Sequence, residues 1–153
     1  MMRRKDKAMQ DGDIIDLLQT GEYGVLSTVD GEGHPYGVPL NYVLINNGIY
    51  FHCALDGHKL DNITANHNVS FCVVGRTNLL PAEFSTEFES VIAFGSASVV
   101  DGEERYQALQ GLIGKYSPEF VAEGSAYIKK FDSQTRVVKV EIDRMTGKAK
   151  MSA

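Results

Sequence analysis

The chain has 153 residues, 43% hydrophobic and 23% charged, with a formal net charge of −5. This is ordinary for a globular protein, and residues 1–153 are expected to form a single domain. The acidic balance excludes a general attraction to nucleic acid or anionic membranes, so any anionic ligand needs a local set of donors.

No apolar run approaches the roughly 20 residues of a membrane helix. The basic start, Met1 to Lys7, has no apolar stretch behind it and does not read as an export signal, which predicts a cytoplasmic protein. Cys53 and Cys72, each within an apolar stretch, then read as buried thiols rather than a disulfide. Residues 1–10 are polar and are expected to be a flexible arm.

Ile14, Ile15, Leu17 and Leu18 fall on one side of a short helix, with Asp11 or Asp13 as its cap and Gly21 as its stop. Tyr23 to Val29 reads as a first strand, Asp30-Gly31-Glu32-Gly33 as a turn, and Tyr36 to Ile45 as a second strand. Asn46-Asn47-Gly48 makes a tight turn into a third strand, Ile49 to Ala54. Such short connections predict an antiparallel meander.

Lys59 to Asn66 breaks the strand pattern and predicts a helix of about two turns through Leu60 and Ile63. Val69 to Val74 is a fourth strand ending at Gly75-Arg76, and residues 77–86, with Pro81, read as a loop. Glu87 to Val100 is a long strand whose Ser90, Gly95 and Ser96 suggest a bulge or bend. Tyr106, Leu109, Leu112 and Ile113 give Gly102 to Tyr116 a helical period, and Pro118 to Phe131 is a shorter helical piece. The alternating Val138-Lys139-Val140-Glu141-Ile142 closes the chain in a strand over Thr135 to Ile142. About six strands with peripheral helices predict a mainly β fold, a small barrel flanked by helices.

The stretch richest in chemistry is Tyr50 to Ile63, where a strand runs through Asp56-Gly57 into a helix. The first N–H groups of a helix have no intrahelical partner and sit at the positive end of its dipole. Lys59 adds a charge there and His58 a titratable donor, which suits a phosphate group. The same residues also fit an ordinary strand–helix connection with a solvated lysine. His52 and Cys53 are adjacent on a strand and point to opposite faces, so they do not ligate one metal ion together. No CxxC or HxxxH spacing occurs, and no metal site is expected. Cys53 lacks an evident activating partner for nucleophilic chemistry. Glu87 and Glu89, two apart on a strand, read as solvated carboxylates.

Gly24-Val25-Leu26-Ser27-Thr28-Val29 followed by Gly33-His34-Pro35-Tyr36-Gly37-Val38-Pro39-Leu40-Asn41-Tyr42 resembles the opening hairpin of the pyridoxamine 5′-phosphate oxidase-like flavoproteins. Tyr50-Phe51-His52 with Gly57-His58-Lys59 and Asn62-Ile63 is similar to the nitroimidazole-resistance branch of that family. Phe88-Glu89-Ser90-Val91 with Gly95 resembles its long later strand. The resemblance covers residues 14–100 well and the remainder loosely. It implies a split β-barrel of the FMN-binding type, in which FMN lies between the two subunits of a homodimer.

Carried over by residue, Pro39, Leu40, Asn41 and Tyr42 would line the isoalloxazine and ribityl groups, largely through backbone contacts. His52 and Cys53 would sit beside the ribityl chain or phosphate, and His58 and Lys59 would hold the phosphate. Ser90 would approach the flavin from the partner subunit. The vitamin B6 oxidases carry Arg directly before the phosphate-binding Lys, whereas this chain has His58. Their C-terminal Trp- and Arg-containing substrate region is not found, which argues against pyridoxamine-phosphate oxidation. The implied activity is an FMN-dependent reductase passing electrons from a nicotinamide donor to a small aromatic or nitro-containing acceptor. The flavin would do the redox chemistry, with no indispensable acid–base side chain. Alternatives within the fold are a flavin-binding module without turnover, or a barrel that has exchanged FMN for haem or a deazaflavin.

Overall fold

A computed structural model describes residues 2–151; Met1, Ser152 and Ala153, the ends of the expected 1–153 domain, lie outside the described residues. The strands are β1 (Gly24–Val29), β2 (Pro35–Leu40), β3 (Val43–Ile45), β4 (Gly48–Cys53), β5 (Asn68–Leu80), β6 (Ser85–Val100) and β7 (Arg136–Lys150). The helices are α1 (Asp11–Thr20), α2 (His58–Ala65), α3 (Gly102–Tyr116) and α4 (Val121–Phe131). All strands join one antiparallel sheet in the order β2-β1-β5-β6-β7-β4-β3. This is the mainly β, split-barrel fold with flanking helices that the sequence predicts.

The expected second strand, Tyr36 to Ile45, is two strands, and they lie at opposite edges of the sheet. β2 pairs with β1, and β3 pairs with β4 through the Asn46-Asn47-Gly48 turn. The meander therefore breaks at Asn41-Tyr42. Laid flat, the outer strands of such a sheet would stand about 29 Å apart, at roughly 4.8 Å per strand. Three Cα steps, from Leu40 to Val43, span at most about 11 Å. The sheet must therefore roll until its two edges meet at this link.

Among the described residues no strand ladder joins β2 to β3. Proline donates no backbone hydrogen bond and belongs on edge strands. Pro35 and Pro39 are four apart, so their missing donors fall on the same side of β2. With β1 occupying the other side, β2 presents the edge that lacks donors, and the barrel stays split.

Tyr42 secures the link. Its ring is fully buried and packs edge-on against Phe71, with centroids 4.9 Å apart. Its hydroxyl donates to the Leu18 carbonyl. Its N–H donates to the Tyr116 hydroxyl at 3.0 Å, and its carbonyl accepts from Lys115 Nζ at 2.9 Å. Lys115 Nζ also lies 3.7 Å from the centre of the Tyr42 ring.

Two apolar clusters follow from the pattern of burial. Leu26, Ile49, Phe51, Phe71, Val73, Val91, Val138 and Val140 fill the barrel, and Ile14, Leu17 and Leu18 of α1 join them. Val43, Tyr50, Val100 and Val137 face outward and pack beneath Ala108, Leu109 and Leu112 of α3. β4 is thus buried on both faces for most of its length. Asp11 and Asp13 lie inside the first turn of α1 and do not cap it; Gln10 holds the cap position. Gly21 holds the C-cap of α1, and only glycine fits there, since a Cβ would clash with Val73 Cγ1.

The expected loop at 77–86 is instead the end of a long hairpin. β5 continues past an irregularity between Val74 and Thr77, and a 3₁₀ turn at Pro81–Glu83 leads into β6. Inside this hairpin Glu87 is buried and accepts a hydrogen bond from Asn78 Nδ2 at 2.9 Å, so it is not a solvated carboxylate. β7 runs eight residues beyond the expected Ile142 because β6 offers it a partner along almost its whole length. The described part of the N-terminal arm is docked on β7, with Met9 N–H donating to the Gly147 carbonyl at 3.0 Å.

Tyr42→Phe should lower the unfolding free energy by about 1–3 kcal/mol in urea titrations, because the Leu18 carbonyl is left without its donor in the core. Burial pushes Lys115 down to about 8. Between pH 8 and 9.5 the unfolded chain therefore binds more protons than the folded one, and stability should rise with pH. Lys115→Met should flatten that rise in the same titrations.

Candidate functional site

The site is assembled where β4 leaves the sheet. Ile49 and Phe51 point into the barrel, while Tyr50 faces α3. Cys53 packs partly against the barrel core. The chain then turns through Gly57, whose φ of 151° and ψ of 172° form a conformation open almost solely to glycine. A Cβ at Gly57 would meet no atom within 4 Å, so the turn faces open space.

α2 begins at His58 with no side-chain cap on its first turn. Asn62, buried, donates to Thr28 Oγ1 at 3.0 Å, and Ile63 joins the barrel core, so the helix start is held against β1. His58 stacks on Tyr36 of β2, with ring centroids 4.0 Å apart and planes at 26°. This places the wide end of the split, between β2 and the end of β4, beside the opening of α2. Arg136, paired in register with Cys53, donates through Nε to the Leu55 carbonyl at 2.7 Å. Neither Lys59 nor Arg136 has an ion-pair partner among the described residues. Burial raises the Cys53 thiol pKa, with Lys59 and Arg136 pulling it the other way. The thiol is therefore protonated at neutral pH and feels both cations.

The predicted site residues divide into groups. His52, Cys53, His58 and Lys59 lie together on the β4–α2 connection. Pro39, Leu40 and Asn41 end β2 on the other side of the split, with Pro39 and Asn41 exposed. Tyr42 differs from these three: its ring is in the core, and its N–H and carbonyl are both bonded within the chain. Ser90 lies on the outer face of β6, paired with Lys148, whereas Arg136 pairs with Cys53. Twelve residues of β7 separate those positions, roughly 35–40 Å along the strand. Ser90 cannot reach this site within one chain.

Sequence reasoning missed Tyr36 and Arg136. Neither stands in a local pattern that marks a ligand, and each reaches the site only through sheet pairing. It also missed a cleft of about 660 Å³ between the end of β4 and the helices α3 and α4. His52 stands at its floor, with Leu112, Ile113, Phe120, Tyr127 and Phe131 among the apolar walls. The apolar surroundings lower the His52 pKa. Among the described residues no group of three or more His, Cys, Asp or Glu side chains is arranged to hold a metal ion. No helix among them is long and apolar enough to cross a membrane.

The profile of the family described as pyridoxamine 5′-phosphate oxidase matches residues 10–149. The chain belongs to that family. Its fold is shared with a Bacteroides thetaiotaomicron VPI-5482 protein provisionally assigned to 5-nitroimidazole antibiotic resistance. That structure is 24% identical, with a TM-score of 0.73, over 92% of this chain and 85% of that one. A FAD- and haem-binding protein from Mycobacterium smegmatis has 20% identity and a TM-score of 0.82, over 95% of this chain and 74% of its own. A FAD-binding protein from the same organism has 23% identity and a TM-score of 0.60, over 94% and 99%. No curated protein matches the chain.

As a pyridoxamine 5′-phosphate oxidase family member, the chain carries an imidazole at the junction of its split and its helical cleft. In an NMR titration, His52 should have its midpoint below the ordinary histidine value of about 6.5 and be neutral at pH 7. A midpoint at or above that value would show the cleft to be wetter than its lining indicates.

Proposed function

We propose that this chain binds the phosphate of FMN or a related flavin at the start of α2, and that it acts as a homodimeric flavin-dependent reductase on small aromatic or nitro-containing acceptors. The observation that carries the reading is the set of unpaired donors at that helix start. Lys59, Arg136 and the uncapped N–H groups converge there in a chain of net charge −5. Charge-assisted hydrogen bonds of this kind favour a phosphate, and the Tyr36 stack holds the His58 ring in place beside it.

Pro39, Leu40 and Asn41 then flank the split on the side where the isoalloxazine would lie. Cys53, packed against the barrel core, stands at the strand end on that side, while His52 lies in the neighbouring helical cleft. When bound, the flavin supplies the hydride and electron transfer, while the protein binds and orients the ring. The solved structures of FAD-binding and FAD- and haem-binding proteins with this fold support a flavin over other anions. The structure provisionally assigned to nitroimidazole resistance supports the acceptor class.

A second copy fits the outer face of the sheet. Val74 and Ile92 are exposed there, beside Phe94 and Ser90. A partner docked on this face could bring its Ser90 to a site that the same chain's Ser90 cannot reach. The nicotinamide donor is inferred from the reductase reading.

Lys59→Ala should weaken flavin binding by about tenfold to a hundredfold, the worth of one charge-assisted hydrogen bond, with an unchanged unfolding transition. Flavin fluorescence titration measures the first and urea denaturation the second. Under anaerobic conditions NADH or NADPH should bleach the bound flavin, and a nitroimidazole should restore its colour. Bound flavin that neither donor bleaches would reduce the protein to a binding module. A Soret band in place of flavin absorption would replace the flavin with haem.

A further inference from the structure

The helical walls of the cleft between β4, α3 and α4 have no part in the reading above, yet the cleft begins at the residues that end the phosphate site. Cys53 and Ala54 line it, and the Cys53 thiol is within electrostatic reach of Lys59 and Arg136. At its other end Gln134 and Thr135 line it, and Arg136 is the next residue along the chain. Arg136 itself lies outside the lining, paired with Cys53 at the lip of the cleft, with its Nε fixed on the Leu55 carbonyl. The remaining N–H groups of Arg136 have no partner among the described residues.

The lining is suited to a flat ring with polar edges. Phe120 and Tyr127 are 58% and 65% exposed, unusual for side chains bordering a cavity, and Tyr127 stands 4.7 Å from Phe131 between ring centres. Aromatic faces of this kind stack on nucleobases with little dependence on base identity. Ser117 and Gln134 lie in the same lining, and neither side-chain polar group is taken up by the protein among the described residues. Arg105 also borders the cleft but is bound to the Asp132 carboxylate at 2.6 Å and the Thr135 carbonyl at 3.0 Å, so it shapes the wall. A volume of about 660 Å³ falls in the range of sites for small organic ligands. α4, which roofs the cleft, has no fully buried residue, so its apolar side chains are available to a ligand.

We infer that this chain takes its flavin as the dinucleotide, with the adenosine half in the α3–α4 cleft and Arg136 on the phosphate attached to it. His58 and Lys59 hold the flavin-side phosphate, and the isoalloxazine lies in the split on the opposite side of the β4 end. This rests on the proposed flavin site. The cleft could instead receive the acceptor substrate or the isoalloxazine itself, and these occupants give different results in one experiment.

Apoprotein of the full chain is titrated with FAD and with FMN, following flavin fluorescence, and each titration is repeated with 5′-AMP present. FAD should bind at least tenfold more tightly than FMN. AMP should compete with FAD and leave FMN affinity unchanged. Phe120→Ala and Tyr127→Ala, both at exposed positions in the cleft lining and outside the phosphate site, should lower FAD affinity towards that of FMN without altering FMN binding. Equal affinities for the two flavins would overturn the inference and leave the flavin site standing. An equal loss of FMN and FAD in Phe120→Ala would put the isoalloxazine in the cleft and overturn it as well. Binding of neither flavin would remove the proposed flavin function itself.

Discussion

Leu40 and Val43 belong to strands at opposite edges of a seven-stranded sheet, and two residues connect them. Every other large feature depends on this short tether. It obliges the sheet to curl, and the curl encloses the apolar faces of the strands around one core. Tyr42 makes the tether durable, because its ring, hydroxyl, N–H and carbonyl are all used within the chain. The clamp draws Lys115 into a partly desolvated place where, among the described residues, it has no ion-pair partner, at some cost in stability. The ring face of Tyr42 and its carbonyl oxygen offset part of that cost.

The same tether decides where a ligand can enter. The two edges are pinned at Asn41-Tyr42 and diverge towards Tyr36 on one side and Cys53 on the other. The prolines of β2 keep that edge from sealing by hydrogen bonds. A groove remains, and α2 starts at its open end, held there by Asn62 on Thr28 and by the Tyr36–His58 stack. An acidic protein can hold an anion only where cations are left unneutralised, and Lys59 and Arg136 meet that condition at this point. β4 then divides the surroundings into two compartments, the split on one side and the helical cleft on the other. His52 and Cys53 stand at the strand end between them.

Membership of the pyridoxamine 5′-phosphate oxidase family places the chain in a fold that hosts several cofactors, and a shared fold does not choose among them. On the proposed reading, the choice rests on side chains at the β4–α2 connection and on what the neighbouring cleft accepts. His58 in place of arginine is one such difference. It exchanges a fixed charge for a ring that stacks on Tyr36, and the proposed site then draws its fixed charge from Lys59 and Arg136.

Local pattern in the sequence was enough for the elements whose signals lie within a few residues. The helix from Gly102 to Tyr116 follows from its apolar period, and the β3–β4 hairpin from Asn46-Asn47-Gly48. The glycine turn into α2, with His58 and Lys59 at its start, follows from Gly57. What the sequence could not disclose is pairing between distant segments. The run from Tyr36 to Ile45 looks like one strand because hydrophobicity does not record which edge each half joins. Residues 77–86 look like a loop because their strand character comes from hydrogen bonds between β5 and β6. Tyr36 meets His58, and Arg136 meets Leu55, only because a rolled sheet brings them there, and the α3–α4 cleft exists only once both helices pack outside β4. Backbone propensity is a local property, whereas the partner that satisfies a strand edge or completes a binding site is set by the closure of the whole sheet.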